Sequence, residues 1–274
     1  MIKNLVFSGG VLKGWAYIGT IRALEEYSIF SEIDNVAGTS VGAVFGLFYI
    51  LKIPWSYILE KIMELKFFSL IDIQLNTIIS RQCLIKGEKF KKFILSILKD
   101  YLNSPEKCTF RDLQNYTNIN FTVTALNLTK GDVEYFNAEN TPGIYIIDAL
   151  IASCSLPLLF PSYKINEYYY CDGALCNNFP TNLFDDTYTI GFNLFNDSIS
   201  NKGNSFFDIL NTLVDLANKS NKQERKNVFN ILDSQYDTHT YNIKQTPDDI
   251  FSIYMNGYIN SRRIIFDNFI ALGF

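Results

Sequence analysis

The sequence predicts an α/β fold whose central sheet is mainly parallel and carries helices on its faces. Three observations predict it. A short apolar segment running into a glycine turn and then a helical pattern occurs twice near the start of the chain, and a repeated strand–turn–helix unit implies parallel strands joined by crossover helices. The chain has 274 residues, of which 48% are hydrophobic and 19% charged, which suits one globular domain with a sizeable core. The hydrophobic period then switches between about three and two along the chain, so helices and strands are both expected.

The elements follow in order. Ile2–Phe7 reads as a short buried strand that meets Gly9-Gly10, after which Trp15, Ile18, Ile21 and Leu24 recur at helical spacing. Val36-Ala37 reads as a second strand ending at Gly38-Thr39-Ser40-Val41-Gly42, with an apolar helix from there to about Leu51. Trp55 to Leu70 predicts one amphipathic helix. Phe90, Phe93, Ile94, Ile97, Leu98 and Tyr101 predict another, with lysines outside; both stripes are read as core packing. Thr109-Phe110-Arg111-Asp112 fits a capping box. From Phe121 the period is two, with Phe121, Val123 and Ala125 alternating with threonines, and a turn at Lys130-Gly131-Asp132 leads into Val133–Phe136 as a hairpin. Ile144 to Ser153 is helical in pattern, and prolines at Pro157 and Pro161 bracket a loop. Tyr168–Cys171 is strand-like, and Ile190–Leu194 is expected to be the last core strand. Beyond Asn196 lie a polar stretch and helical pieces around Phe206–Ala217 and Ile253–Phe269. No linker breaks the chain, so residues 1–274 are expected to form a single domain.

Charge and cysteine usage exclude several functions. The net charge is −4 with a pI near 5.1, which argues against a nucleic-acid partner and against a polybasic membrane anchor. Five cysteines (Cys83, Cys108, Cys154, Cys171 and Cys176) without CxxC spacing read as reduced thiols, not as a disulfide framework or a zinc site. The longest apolar run, Val41 to Leu51, is too short to span a bilayer, which takes about 20 residues. With no leader evident after Met1, the expected location is cytoplasmic, with peripheral contact at membranes.

Three motifs carry chemistry. Gly38-x-Ser40-x-Gly42 places a serine on a tight strand-to-helix turn, where neighbours must be small because the backbone is strained and a Cβ would collide with the adjoining chain. The helix N-terminus there favours negative charge developing on oxygen. A structural turn with a capping serine is the bland alternative. Ser8-Gly9-Gly10-Val11-Leu12-Lys13-Gly14 follows the first strand, and glycines at that place let backbone N–H groups point into an open site. The dinucleotide pattern fails at Val11, and the phosphate-loop pattern fails because the lysine lacks its spacing and a following Ser or Thr. That leaves an oxyanion hole, or simply a tight turn. Asp172-Gly173-Ala174 follows the tyrosine-rich strand, and alone an Asp-Gly pair is most often a turn.

Histidine is scarce: only His239 exists, in a polar C-terminal stretch. A Ser–His–Asp triad would have to use it. Without it, a carboxylate must take the serine proton directly, and an aspartate with an ordinary pKa of about 3.9 is a poor base in water. Burial beside apolar side chains would raise its basicity. A dyad is therefore reasonable only in a partly dry site.

With these three motifs in this order, the chain resembles the patatin-like phospholipases. The resemblance rests on Ser8 to Gly14 as the glycine loop with its lysine, on Gly38 to Gly42, and on Asp172-Gly173-Ala174. It extends to Ala152-Ser153, Leu156-Pro157 and Phe160-Pro161 ahead of the aspartate, and to Asn178 and Pro180 after it. Phe121–Leu126 followed by Thr141-Pro142 is similar as well. It covers about residues 3–195, with a mostly helical remainder over 196–274. Val11 stands where the family usually carries a third glycine; if that position needs φ > 0, a β-branched residue is strained there. The resemblance implies a three-layer α/β/α fold and hydrolysis of acyl esters of lipids. It makes Ser40 the nucleophile and Asp172 the general base, with backbone N–H groups of Gly9, Gly10 and Val11 as the oxyanion hole. Lys13 is expected to fix the loop, to meet a lipid phosphate, or only to cap a neighbouring carbonyl, and Gly14, Gly38, Gly42, Gly173 and Ala174 support the motifs. No metal or other cofactor is expected, so activity should be independent of calcium. A catalytically silent lipid-binding protein on this fold, and an esterase using His239, are the alternatives.

Overall fold

A computed structural model describes residues 2–27, 33–64, 83, 85–194, 227–233, 235–236 and 245–271. An eight-stranded mixed, mostly parallel sheet runs through it: β1 (Asn4–Phe7), β2 (Asn35–Thr39), β3 (Asn120–Asn127), β4 (Asp132–Phe136), β5 (Tyr163–Ile165), β6 (Tyr168–Asp172), β7 (Thr189–Asn193) and β8 (Val228–Asn230). The spatial order is β5-β6-β3-β2-β1-β7-β8, with β4 paired to β3. Strands β3, β2, β1, β7 and β8 are parallel neighbours, whereas β4, β5 and β6 join antiparallel. All four residues of β1 are buried, as expected of a central parallel strand covered on both faces.

Helices α1 (Ala16–Glu26), α2 (Val41–Ile50), α3 (Trp55–Glu64), α4 (Glu88–Leu98), α5 (Phe110–Thr117), α6 (Ile146–Ser153) and α7 (Pro247–Ala271) complete a three-layer α/β/α arrangement. Helix α2 packs on β1, β2 and β3, α6 packs on β3, β5 and β6, and α7 lies against α1. The predicted capping box starts α5: the Asp112 N–H donates to Thr109 Oγ1 at 3.1 Å and the Thr109 N–H to Asp112 Oδ2 at 3.0 Å. Among the described residues no helix is long and apolar enough to cross a membrane.

Several expectations are corrected. A 3-10 turn over Val11–Trp15 precedes the first α-helix, which begins only at Ala16. The helix expected from Ile144 begins at Ile146. Of the helix expected over Trp55–Leu70, Trp55–Glu64 is present, and the rest lies outside the described residues, as does the piece around Phe206–Ala217. Strand β7 is not the last, because the three-residue β8 pairs parallel to it. Strand β5 is equally short and precedes β6 in a hairpin. All five cysteines are free thiols, as expected.

Candidate active site

The sheet register brings two predicted site residues together. Val123 of β3 pairs with Gly38 of β2 and with Phe136 of β4, so β2 and β4 lie on opposite edges of β3. Ala125 pairs with Glu134 of β4 and with Asp172 of β6, so β6 shares the β2 edge. Strand β2 runs up that edge and ends at Thr39 opposite Thr124, while β6 runs down it and ends at Asp172 opposite Ala125. The two strands meet end to end. Ser40, the next residue after β2, therefore faces Asp172: its hydroxyl donates to Asp172 Oδ2 at 2.8 Å.

Ser40 sits at φ 54° and ψ −129°, in a region that L-residues seldom occupy. Such a conformation costs on the order of 1–3 kcal/mol and persists only where the surroundings impose it. Here they do. A Cβ on Gly38 would lie 2.6 Å from the Ala43 nitrogen, and one on Gly42 would collide with the carbonyl oxygens of Phe7 and Ser8 at the end of β1. The Ser40 N–H donates to Ser153 Oγ at 2.7 Å, and the Ser153 hydroxyl in turn donates to the Thr124 carbonyl at 2.6 Å. Ser153 is fully buried at the C-terminal end of α6. Ser40 is the N-cap residue of α2, yet its side chain makes no capping bond and is committed to Asp172 instead. That removes the bland reading of a capping serine.

Asp172 is 2% exposed. Burial pushes its carboxyl up to about 7, against the pull of hydrogen bonds from the Ala174 N–H, which reaches Oδ1 at 2.8 Å, and from the Ser40 hydroxyl. Gly173 packs against the Thr124 carbonyl, and Ala174 supplies that N–H. Neighbouring thiols report the same dry surroundings: burial raises Cys171 and Cys176 to about 12. Burial also raises Cys154, whose thiol is hydrogen-bonded to the Ser40 side chain.

The glycine loop lies beside the elbow and is tied to the end of β7. The Leu194 N–H donates to Ser8 Oγ at 3.0 Å, and the Tyr17 hydroxyl reaches the carbonyls of Ser8 and Phe192 at 2.8 and 3.0 Å. Lys13 is 2% exposed and its Nζ donates to the Leu194 carbonyl at 3.3 Å. The side chain thus caps a carbonyl just beyond β7, which speaks for the carbonyl-capping and loop-fixing readings and against contact with a lipid phosphate. Gly14 packs against the Val41 side chain at the start of α2. The Gly9 N–H is committed to the Asn178 carbonyl at 3.0 Å, which corrects its place among the three expected oxyanion donors. The N–H groups of Gly10 and Val11 donate to none of the described residues. Val11 has φ 49°, so the position does require the left-handed region, and a β-branched residue occupies it under strain.

Ser40 and Asp172 open into an apolar pocket walled by Val44 and Phe48 of α2, Phe90 and Phe93 of α4, and Leu156 and Phe160 of the loop after α6. Sequence reasoning read the α4 stripe as core only, and gave Ser153 no role. His239 lies outside the described residues, as does any arrangement that would use it.

Known proteins resemble the chain over much of its length. Over 185 residues the chain is 29% identical to the "Probable lipid hydrolase" of Invertebrate iridescent virus 6, a match covering 66% of this chain and 62% of that protein, so the chain spans less than two thirds of that relative's length. It is 28% identical to triacylglycerol lipase 4 of Saccharomyces cerevisiae over 175 residues, covering 60% of this chain and 18% of the yeast protein. The crystal structure of VipD from Legionella pneumophila superposes with a TM-score of 0.64 at 19% identity, covering 97% of this chain and 67% of VipD, which speaks for the fold. The model of the patatin-like phospholipases matches residues 5–185, a span that contains the glycine loop, the serine elbow and the Asp-Gly turn. The chain belongs to the patatin-like phospholipase family.

Proposed function

We propose that the protein is a lipid acyl hydrolase of the phospholipase A or lysophospholipase type, working through a Ser40–Asp172 dyad. The observation that carries this reading is the 2.8 Å hydrogen bond from the Ser40 hydroxyl to a buried carboxylate at the wall of an apolar pocket. A base raised to about 7 is half ionised near neutrality, so it can accept the serine proton where an ordinary aspartate could not.

In the first half-reaction Ser40 Oγ bonds to the acyl carbon as its proton passes to Asp172. The carbonyl π electrons move onto the oxygen, which the Gly10 and Val11 N–H groups meet; each such donor is typically worth about 3 kcal/mol. Collapse of this intermediate breaks the ester C–O bond, and Asp172 returns the proton to the departing alcohol. In the second half-reaction water attacks the acyl-serine, gives a proton to Asp172, and the fatty acid leaves as Ser40 regains its proton. The buried Lys13 holds the loop and takes no part in proton transfer. The dyad needs no metal, so turnover is independent of calcium. The substrate lies in a lipid surface, so contact with membranes is transient and peripheral.

A fluorophosphonate probe and a lipid panel test this, with and without a calcium chelator. Ser40→Ala and Asp172→Ala each lose labelling and fatty-acid release, while His239→Ala keeps both. Full labelling of Ser40→Ala or Asp172→Ala contradicts the dyad, and loss in His239→Ala equal to that in Ser40→Ala favours a triad. The strained Val11 is the one observation favouring a silent lipid-binding protein. Liposome binding equal in wild type and Ser40→Ala, with no turnover in either, would support that second reading.

A further inference from the structure

The loop after β1 needs glycines for space, and glycines leave its backbone loose. A Cβ on Gly9 would collide with the Asn178 side chain, and one on Gly10 with the Leu194 side chain. Glycine backbone turns more freely than that of any other residue. An N–H that must wait in one orientation there needs its peptide group held from outside.

Hydrogen bonds hold three successive peptide groups of the loop in two different ways. The Ser8–Gly9 peptide is tied at both ends: its carbonyl accepts from the Tyr17 hydroxyl at 2.8 Å, and its N–H donates to the Asn178 carbonyl at 3.0 Å. The Gly9–Gly10 peptide is tied at its carbonyl, which accepts from Ser8 Oγ at 3.0 Å. The Gly10–Val11 peptide is tied at its carbonyl too, by the Lys13 N–H at 3.0 Å. A trans peptide is planar, with its carbonyl and N–H pointing in opposite directions, so fixing one aims the other. The tie from the Lys13 N–H is a backbone bond that most residue types would supply. The tie on Gly9 is a side chain.

The Ser8 hydroxyl is itself held for that purpose. Ser8 is fully buried, and its Oγ accepts from the Leu194 N–H at 3.0 Å, just beyond β7. Its single proton has the Gly9 carbonyl at 3.0 Å and the Tyr17 hydroxyl oxygen at 3.2 Å as acceptors. Tyr17 uses its own proton on the carbonyls of Ser8 and Phe192, and its buried ring packs edge-on to Phe7 at 5.2 Å. None of the hydrogen bonds of Ser8 among the described residues goes to Ser40 or Asp172.

Resting on the hydrolase reading above, we infer that Ser8 is a positioning residue of the oxyanion hole: its hydroxyl, anchored on the Leu194 amide, holds the Gly9 carbonyl and thereby aims the Gly10 N–H at the developing oxyanion. Ser8 acts through the peptide group and touches no reacting atom.

The test compares wild type, Ser8→Ala and Tyr17→Phe, all in the full chain, by turnover of p-nitrophenyl butyrate, urea unfolding and affinity for trifluoromethyl octyl ketone. Ser40 Oγ adds to the carbonyl carbon of that ketone as its proton passes to Asp172, which leaves an oxyanion in the hole and no leaving group to expel. Ser8→Ala should lower kcat about tenfold to a hundredfold, somewhat less than outright removal of a donor, and leave KM within about twofold. Affinity for the ketone should fall by about the same factor as kcat, because both depend on the oxyanion. Tyr17→Phe loses a hydroxyl from the same network but keeps the bond between Ser8 and the Gly9 carbonyl. It should be less stable in urea, with kcat and ketone affinity within about threefold of wild type. Should Ser8→Ala fail to fold, Ser8→Cys, which keeps the size and weakens the donor, carries the same expected direction. A Ser8→Ala protein with lowered stability but unaltered kcat and ketone affinity would overturn the assignment, as would a Tyr17→Phe loss equal to that of Ser8→Ala. In either case wild-type turnover with fluorophosphonate labelling of Ser40 leaves the hydrolase reading standing. Wild type with neither turnover nor labelling overturns both.

Discussion

Two neighbouring parallel strands, β1 and β2, end in the same way and use their ends differently. Each leads into a positive-φ backbone position occupied by a non-glycine residue: Val11 at φ 49°, reached after Ser8, Gly9 and Gly10 beyond β1, and Ser40 at φ 54°, directly after β2. At the elbow the strained residue's own N–H is bound by Ser153, and its side chain is bound by Asp172. In the loop the strained residue's N–H meets none of the described residues, and the restraint falls on the flanks, through Ser8, Gly9 and Lys13. The contrast teaches a division of labour. Under the proposed mechanism the attacking group is fixed at both ends, whereas the group that would receive charge keeps its donor open. The missing Cβ of Gly42, which lets α2 touch the Phe7 and Ser8 carbonyls, locks the two turns together.

The largest effect that would break this comparison concerns the buried partner that only the elbow has. A carboxyl raised from an unfolded value of about 3.9 to about 7 means that the folded state binds the extra proton between those values. Stability therefore falls as pH rises through that window, and the full penalty, on the order of 4 kcal/mol, applies above about pH 7. Asp172→Asn removes a charge that must be buried. It should stabilise the protein against urea by a few kcal/mol at about pH 8 and hardly at all at about pH 4. Equal stability of variant and wild type at both would contradict a dry site.

Next comes the anchor of the elbow. Ser153→Ala leaves the Ser40 N–H and the Thr124 carbonyl buried without this partner, which costs about 1–3 kcal/mol of stability. If Ser153 positions Ser40, kcat should fall about tenfold or more with little change in KM, because the loss lies in transition-state geometry. Ser153→Thr, which keeps the hydroxyl, should recover most of it. A variant with lowered stability and unaltered kcat would make Ser153 a structural residue only.

The smallest effect belongs to the loop. Val11→Gly relieves backbone strain but adds freedom to the unfolded chain, two contributions of about 1 kcal/mol with opposite signs. The melting temperature should scarcely move and ester hydrolysis should persist, since the N–H remains. A loss of activity comparable to that of Ser40→Ala would show that the Val11 side chain, not its amide, is what the site requires.

Much of the site was legible because backbone sterics leave few choices. Gly38 and Gly42 are demanded by atoms that would otherwise collide, and the scarcity of histidine points to Asp172 as the proposed base. Val11 could be flagged from sequence for the same reason, as a β-branched residue where a glycine conformation was in prospect. Ser153 could not be given its role, since it holds Ser40 across 113 positions and hydrogen bonds of that range leave no local pattern. The α4 stripe was read as core because an apolar pocket wall and a core face share one helical period. The bond of the Gly9 amide to the Asn178 carbonyl joins parts of the chain far apart in sequence and leaves no local pattern either. Strand β8 escaped because it is three residues long and pairs parallel, which places its partner far away in sequence.

In the proposed dyad Asp172 alone sets the proton balance of Ser40. The rate of Ser40 labelling by a fluorophosphonate, followed against pH in wild type, His239→Ala and Asp172→Asn, measures that. The predicted result is a rise with an inflection near the Asp172 value of about 7, the same in wild type and His239→Ala and absent in Asp172→Asn. Labelling of Asp172→Asn at the wild-type rate, or an inflection that disappears with His239, would contradict it.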